Sequence, residues 1–168
     1  VFNDSVLEAK VRKAMGIPEG YITKDQAEAV TSLNLGNPFD TEVPEADKIT
    51  DIAALAQFPN LVSLNLANNS FHGIKALSLL TKLTELDLRN NDIWDLNPLG
   101  KLTALETLSV GCWGKDMSFL PALKNLTYLD IGGGQTFQQE IGSLTNLLTL
   151  RAAGGEYTDI SVLSKLVN

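Results

Sequence analysis

Residues 83–101 read LTELDLRNNDIWDLNPLGK, and their pattern decides the fold. Leu86 and Leu88 flank one polar residue, so they share a face of an extended strand while Asp87 faces the other way. Asn91 follows where such a strand must turn. Leu96 and Leu99, three apart, suit a tight 3₁₀ turn on the far side of a coil.

The same pattern recurs along the chain. The paired positions are Leu33/Leu35, Leu64/Leu66, Leu86/Leu88, Leu108/Val110, Leu129/Ile131 and Leu150/Ala152, and their first members step by 31, 22, 22, 21 and 21 residues. A second column runs Leu55, Leu77, Leu99, Leu120, Ile141, Leu163, and a third runs Phe58, Leu80, Leu102, Leu123, Leu144, Leu166. Three columns at one period define a repeat. One coil cannot bury its leucines alone, but stacked coils bury them against each other. The expected fold is an α/β solenoid: a right-handed coil with a parallel, concave sheet on one side and 3₁₀ turns on the convex side. It is expected to be one structural domain, with a helical cap over residues 1–30 and about six repeats over 31–168.

The cap follows from helical spacing of Val6, Leu7, Val11, Ala14 and Met15. Asn3 or Asp4 is expected to cap its start, and Gly16 with Pro18 to end it. Thr23-Lys24-Asp25-Gln26 reads as a capping box for a second short helix through about Val30. The far end reads as uncapped, which predicts that the chain is part of a longer protein. The 31-residue step places an insertion at 36–50, where Asp40, Glu42, Glu45 and Asp47 concentrate negative charge. It reads as a solvated loop, with a calcium loop as the alternative.

Composition narrows the function. The 168 residues are 44% hydrophobic with net charge −7. No basic stripe exists, which excludes a nucleic-acid backbone or an anionic lipid surface as partner. No apolar run approaches the roughly 20 residues of a spanning helix, so membrane insertion is not expected. One cysteine, Cys112, allows no internal disulfide and no cysteine-rich metal site. The single histidine, His72, lies two coils from Cys112, roughly 10 Å along the stack, too far for a nucleophile–base pair. Gly132-Gly133-Gly134 lacks the lysine and helix of a phosphate loop. No enzyme, cofactor or metal site is expected.

Residues 83–101 resemble the 22-residue leucine-rich repeat of the bacterial internalin family, L-x-x-L-x-L-x-x-N-x-I-x-D-I-x-P-L. The match runs through Leu83, Leu86, Leu88, Asn91, Ile93, Asp95, Pro98 and Leu99, with Leu96 for the second Ile. The opening is similar to the helical cap preceding such repeats in Gram-positive surface proteins, through Phe2, Asp4, Leu7, Glu8, Val11, Arg12, Gly16, Gly20, Ile22, Thr23, Asp25 and Thr31–Leu35. The resemblance implies a secreted or cell-surface recognition module with an extracellular protein as partner. A carbohydrate-binding module and a structural spacer are the alternatives.

Candidate ligand-binding residues lie on the strand face opposite the leucines: Asn65, Glu85, Asp87, Arg89, Ser109, Tyr128, Asp130 and Arg151. Tyr and Arg are common interface anchors. The competing reading is that Glu85, Asp87 and Arg89 pair among themselves. Trp94 is added because Ile93 and Leu96 take the core positions beside it, leaving the indole at a coil edge, where packing over the adjacent coil or the insertion is the alternative to contact with a ligand. Asn69 and Asn91 read as a buried ladder that satisfies turning backbone. Trp113, Gly134 and Gly155 occupy that column later. The simplest reading of Trp113 is a ring filling a shortened coil, with Cys112 a free thiol beside it. Exposure of the ring to ligand is the alternative.

Overall fold

The computed structural model describes residues 1–111, 115–132, 139–152, 164 and 166. Cys112, Trp113, Gly134, Gly155 and Leu163 lie outside the described residues. Two helices, α1 (Ser5–Met15) and α2 (Lys24–Glu28), precede six short strands: β1 (Ser32–Asn34), β2 (Ser63–Asn65), β3 (Glu85–Asp87), β4 (Thr107–Ser109), β5 (Tyr128–Asp130) and β6 (Thr149–Arg151). The strands form one parallel sheet in chain order. Their register is the repeat itself: Leu33, Leu64, Leu86, Leu108, Leu129 and Leu150 lie opposite one another in turn. This is a leucine-rich-repeat solenoid.

Each coil returns through a 3₁₀ turn at 53–57, 75–79, 97–101, 120–122 and 139–143. The second column closes these turns. Leu55, Leu77, Leu99 and Leu120 donate backbone N–H to the carbonyl three residues back at 2.9–3.0 Å. Asp51, Asp95 and Asp116 prepare the turn, each accepting with Oδ1 the N–H two residues on, at 2.7–2.9 Å. All members of the second and third columns from Leu55 to Leu144 are buried. Each removes apolar surface worth roughly 1.5–3 kcal/mol from water, so stacking supplies the driving force that short strands lack.

The cap forms as its sequence predicts. Asp4 caps α1, and Gly16 ends it in the left-handed region at φ 68°. Thr23 and Gln26 make the reciprocal capping box of α2, which stops at Glu28, slightly before Val30. Leu7, Val11 and Ala27 cover the first coil.

The acidic side chains of the insertion, Asp40, Glu42, Glu45 and Asp47, are exposed as the solvated-loop reading expects, but the two ends of the segment are docked. Ile49 is fully buried. Its N–H donates to Asn69 Oδ1 at 2.9 Å, and its carbonyl accepts from Ser70 N at 2.9 Å. Glu45 accepts from Lys48 and from Ser70 Oγ, so its carboxylate is already satisfied. Among the described residues no three His, Cys, Asp or Glu side chains converge as metal ligands. Asn37, inside the insertion, joins the amide ladder. Its Nδ2 donates to Asn69 Oδ1 at 3.0 Å and to the Asn68 carbonyl at 2.8 Å. Asn69 Nδ2 in turn bonds the Leu66 carbonyl at 2.9 Å, and Asn91 Nδ2 bonds the Leu66 and Leu88 carbonyls at 3.0 Å. Asn91 Oδ1 is buried with no hydrogen-bond partner among the described residues.

The residue before Asn69 and before Asn91 takes a left-handed backbone, Asn68 and Asn90 at φ 56°, a conformation asparagine tolerates better than most side chains. Among the described residues of the later, 21-residue coils, Gly132 is left-handed at φ 67°, one position nearer the strand. Glycine adopts this conformation at little cost.

Candidate binding face

The residue between the paired leucines has a local task before it has a functional one. Oδ1 of Asn65, Asp87 and Asp130 accepts the backbone N–H two residues on, from Ala67, Arg89 and Gly132, at 2.9, 3.0 and 3.1 Å. Strand-end amides lose their sheet partners there, and a short polar side chain replaces them. Three candidate ligand residues therefore shape the turn. Recurrence of Asn or Asp at the same place in successive units was the signal in the sequence.

Arg89 dominates the centre of this face. Its guanidinium bonds Asp87 through Nε at 3.0 Å and Nη2 at 2.6 Å. It also reaches over the intervening coil, placing Nη1 4.0 Å from Asp130 Oδ2. The hydrogen bonds it donates to Asp87 raise its pKa above the ordinary value, against burial, with the charges of Asp87 and Asp130 adding attraction. The ring of Phe39, from the insertion, lies 5.1 Å from the guanidinium carbon, a cation–π contact. Asp87 and Arg89 thus follow the self-paired reading, while Glu85 stays exposed.

Two placements correct the expected open face. Ser109 and Asp130 are only 7% and 8% exposed. Asp130 lies within reach of the Arg89 guanidinium, and Ser109 stands between Asp87 and Asp130 in the sheet register. Asn65 and Tyr128 are half-buried, and Arg151 is exposed. Glu85, Thr107, Tyr128 and Thr149 stand opposite one another in the sheet register and form a continuous row outside the Arg89 cluster.

Trp94 lies elsewhere, at the coil edge, 70% exposed and stacked on His72 of the preceding coil. The sequence places Trp94 there but carries no sign of His72 as its partner beyond their spacing of 22 residues. Cys112 and Trp113 lie outside the described residues, so neither is placed relative to this face.

A family model of leucine-rich repeats (2 copies) matches residues 81–122. No curated protein matches the chain. Among solved structures, internalin C2 from Listeria monocytogenes is 25% identical, with TM-score 0.73 over 99% of this chain and 81% of that one. The functional domain of InlJ from Listeria monocytogenes is 22% identical, with TM-score 0.70 over 99% of this chain and 40% of that one. A leucine-rich-repeat protein of Leptospira interrogans is 22% identical, with TM-score 0.56 over 85% of this chain and 36% of that one. Such solenoids are generally scaffolds for protein interaction and typically not enzymes. No helix among the described residues is long and apolar enough to cross a membrane. With six strands in one register and two consecutive units matched by the repeat family, the chain is a leucine-rich-repeat solenoid similar in fold to internalin C2.

Proposed function

We propose that the chain is a non-catalytic recognition module of a bacterial secreted or cell-surface protein, and that it binds an extracellular protein through the concave sheet face. The observation that carries this reading is the row Glu85, Thr107, Tyr128, Thr149, aligned by register beside exposed Arg151. Tyr128 and Arg151 are the anchors, because an amphipathic ring and a guanidinium recover the most energy when an interface desolvates them. Glu85 supplies the opposite charge at the other end of the row. Asn65, Asp87, Arg89, Ser109 and Asp130 hold the platform beneath. The cap over 1–30 and the repeats over 31–168 act as one domain in this reading.

The test is a screen of immobilised extracellular proteins with wild type and the Tyr128→Ala/Arg151→Ala double variant. Wild type is expected to capture a ligand that the variant binds at least about tenfold more weakly. Equal capture by both, or none by either, would overturn the reading. The spacer alternative draws on the self-pairing of Arg89 with Asp87, which keeps the centre of the face soluble without a ligand. It predicts no capture.

A further inference from the structure

The indole of Trp94 is open to solvent, yet it is held in place. It stacks on the imidazole of His72 with ring centroids 4.6 Å apart and planes 8° from parallel. Residues 72 and 94 are one repeat apart, so the coil stacking of about 4.8 Å sets that separation. The backbone N–H of Trp94 donates to the His72 carbonyl at 3.1 Å. His72 Nδ1 lies 2.7 Å from the Asp92 carbonyl oxygen and 3.6 Å from the Asp92 carboxylate. Both rings are therefore oriented before any ligand arrives, which lowers the entropy cost of binding.

Beside this stack lies a recess of about 660 Å³, lined among others by Glu45, Thr50, His72, Asn90, Asn91 and Asp92. The insertion supplies one wall and the edge of the third coil the other. The lining offers carboxylates, amides, two hydroxyls and the His72 imidazole, with no aliphatic side chain. An apolar anchor from a protein partner would find no apolar socket there. A phosphate or sulfate would face Glu45 and Asp92, with no Lys or Arg among the lining residues. A neutral polyhydroxylated ring suits both halves. Its C–H face covers the indole, and its hydroxyls donate to the Asp92 carboxylate, whose side chain is largely exposed, and exchange bonds with the Asn90 amide.

We propose that the His72–Trp94 stack and this recess form a binding site for a neutral saccharide, separate from the concave face. The site does not depend on the protein-binding reading, and its test separates the two. Wild type, Trp94→Ala, Asp92→Ala and Tyr128→Ala are applied to an array of neutral and sulfated oligosaccharides. Hits are then titrated while the indole N–H signal of Trp94 is followed by NMR. The signal is assigned by its loss in the Trp94 variant, and melting curves confirm that each variant is folded.

The expected result is saturable binding of at least one neutral glycan by wild type and Tyr128→Ala alike, with a shift of the Trp94 signal. Binding is expected to fall at least about tenfold in Trp94→Ala and in Asp92→Ala. Asp92→Ala keeps the backbone carbonyl that orients His72, so it tests the site even where loss of the indole perturbs the fold. No neutral glycan bound by wild type, binding only of sulfated glycans, or binding unchanged in both edge variants would overturn the proposal. Loss in Tyr128→Ala instead would place the sugar on the concave face and overturn it too.

Discussion

Asp4 and Thr50 are joined twice, through the Thr50 backbone N–H at 2.7 Å and its hydroxyl at 2.9 Å, both donating to Asp4 Oδ2. The same oxygen accepts from Asp51 N at 3.1 Å, while Oδ1 caps α1 through Leu7 N at 2.7 Å. One carboxylate, 8% exposed, thus ties the helical cap to the point where the insertion ends. Asp4→Ala is expected to cost about 2–4 kcal/mol, since it removes a cap and leaves buried donors unpaired. Urea unfolding at neutral pH measures it.

The acid side of that stability has a definite sign. Burial pushes the Asp4 carboxyl up, but hydrogen bonds from Leu7, Thr50 and Asp51 outweigh it and hold its pKa below the ordinary 3.8. The stabilisation is complete above that ordinary value. It is lost as pH falls from there through the lowered folded-state pKa. Asp4→Asn should remove this part of the acid dependence, so the stability gap between wild type and variant narrows below about pH 3.8. A gap that stays constant into acid would contradict the assignment.

The two ladder asparagines should not be equal. Asn69 uses both ends of its amide, accepting from Ile49 and Asn37 and donating to Leu66. Asn91 Oδ1 has no partner among the described residues. Asn69→Ala is expected to cost about 2–4 kcal/mol and Asn91→Ala about 1–2 kcal/mol. Thermal and urea unfolding of the two variants, compared directly, decide the order.

Gly36 sits where the insertion leaves the first strand. A Cβ there would lie 2.6 Å from Asn65 Oδ1, which is held by its bond to Ala67 N. Gly36→Ala is therefore expected to destabilise by about 1–3 kcal/mol, the range of overpacking. Combining it with Asn65→Ala should recover part of that loss in unfolding experiments, because the clashing group is gone.

The Asp87–Arg89 pair is close but partly exposed, so its worth is modest. A double-mutant cycle with Asp87→Ala and Arg89→Ala should give a coupling of about 1 kcal/mol or less, shrinking in high salt. Phe39→Ala is expected to cost about 0.5–1 kcal/mol through the lost cation–π contact, and nothing further once Arg89 is Ala.

The strands, turns and core were legible because each rests on a local period. Leu86 and Leu88 alternate, Leu96 and Leu99 are three apart, and the next unit repeats both, so burial follows from any stacking of equal coils. The capping residues Asp4, Thr23 and Gln26 were legible for the same reason, since a cap acts within four residues. The insertion was not. Its acidic composition describes the exposed side chains and is silent on Ile49 and Asn37, whose partners lie 20 and 32 residues away.

The concave face divides along the same line. That Asn65, Asp87, Ser109 and Asp130 point away from the leucines follows from alternation alone. Whether they meet solvent depends on how far a neighbour's side chain reaches, and Arg89 reaches two coils. By itself the sequence determined the repeat, the sheet register, the buried columns and the helical cap, all consequences of spacing along the chain. Only the tertiary structure decided that the insertion docks on the amide ladder, that Arg89 reaches Asp130 two coils away, and that His72 and Trp94 stack beside a polar recess. Those contacts depend on distances between coils, and a linear pattern does not encode them.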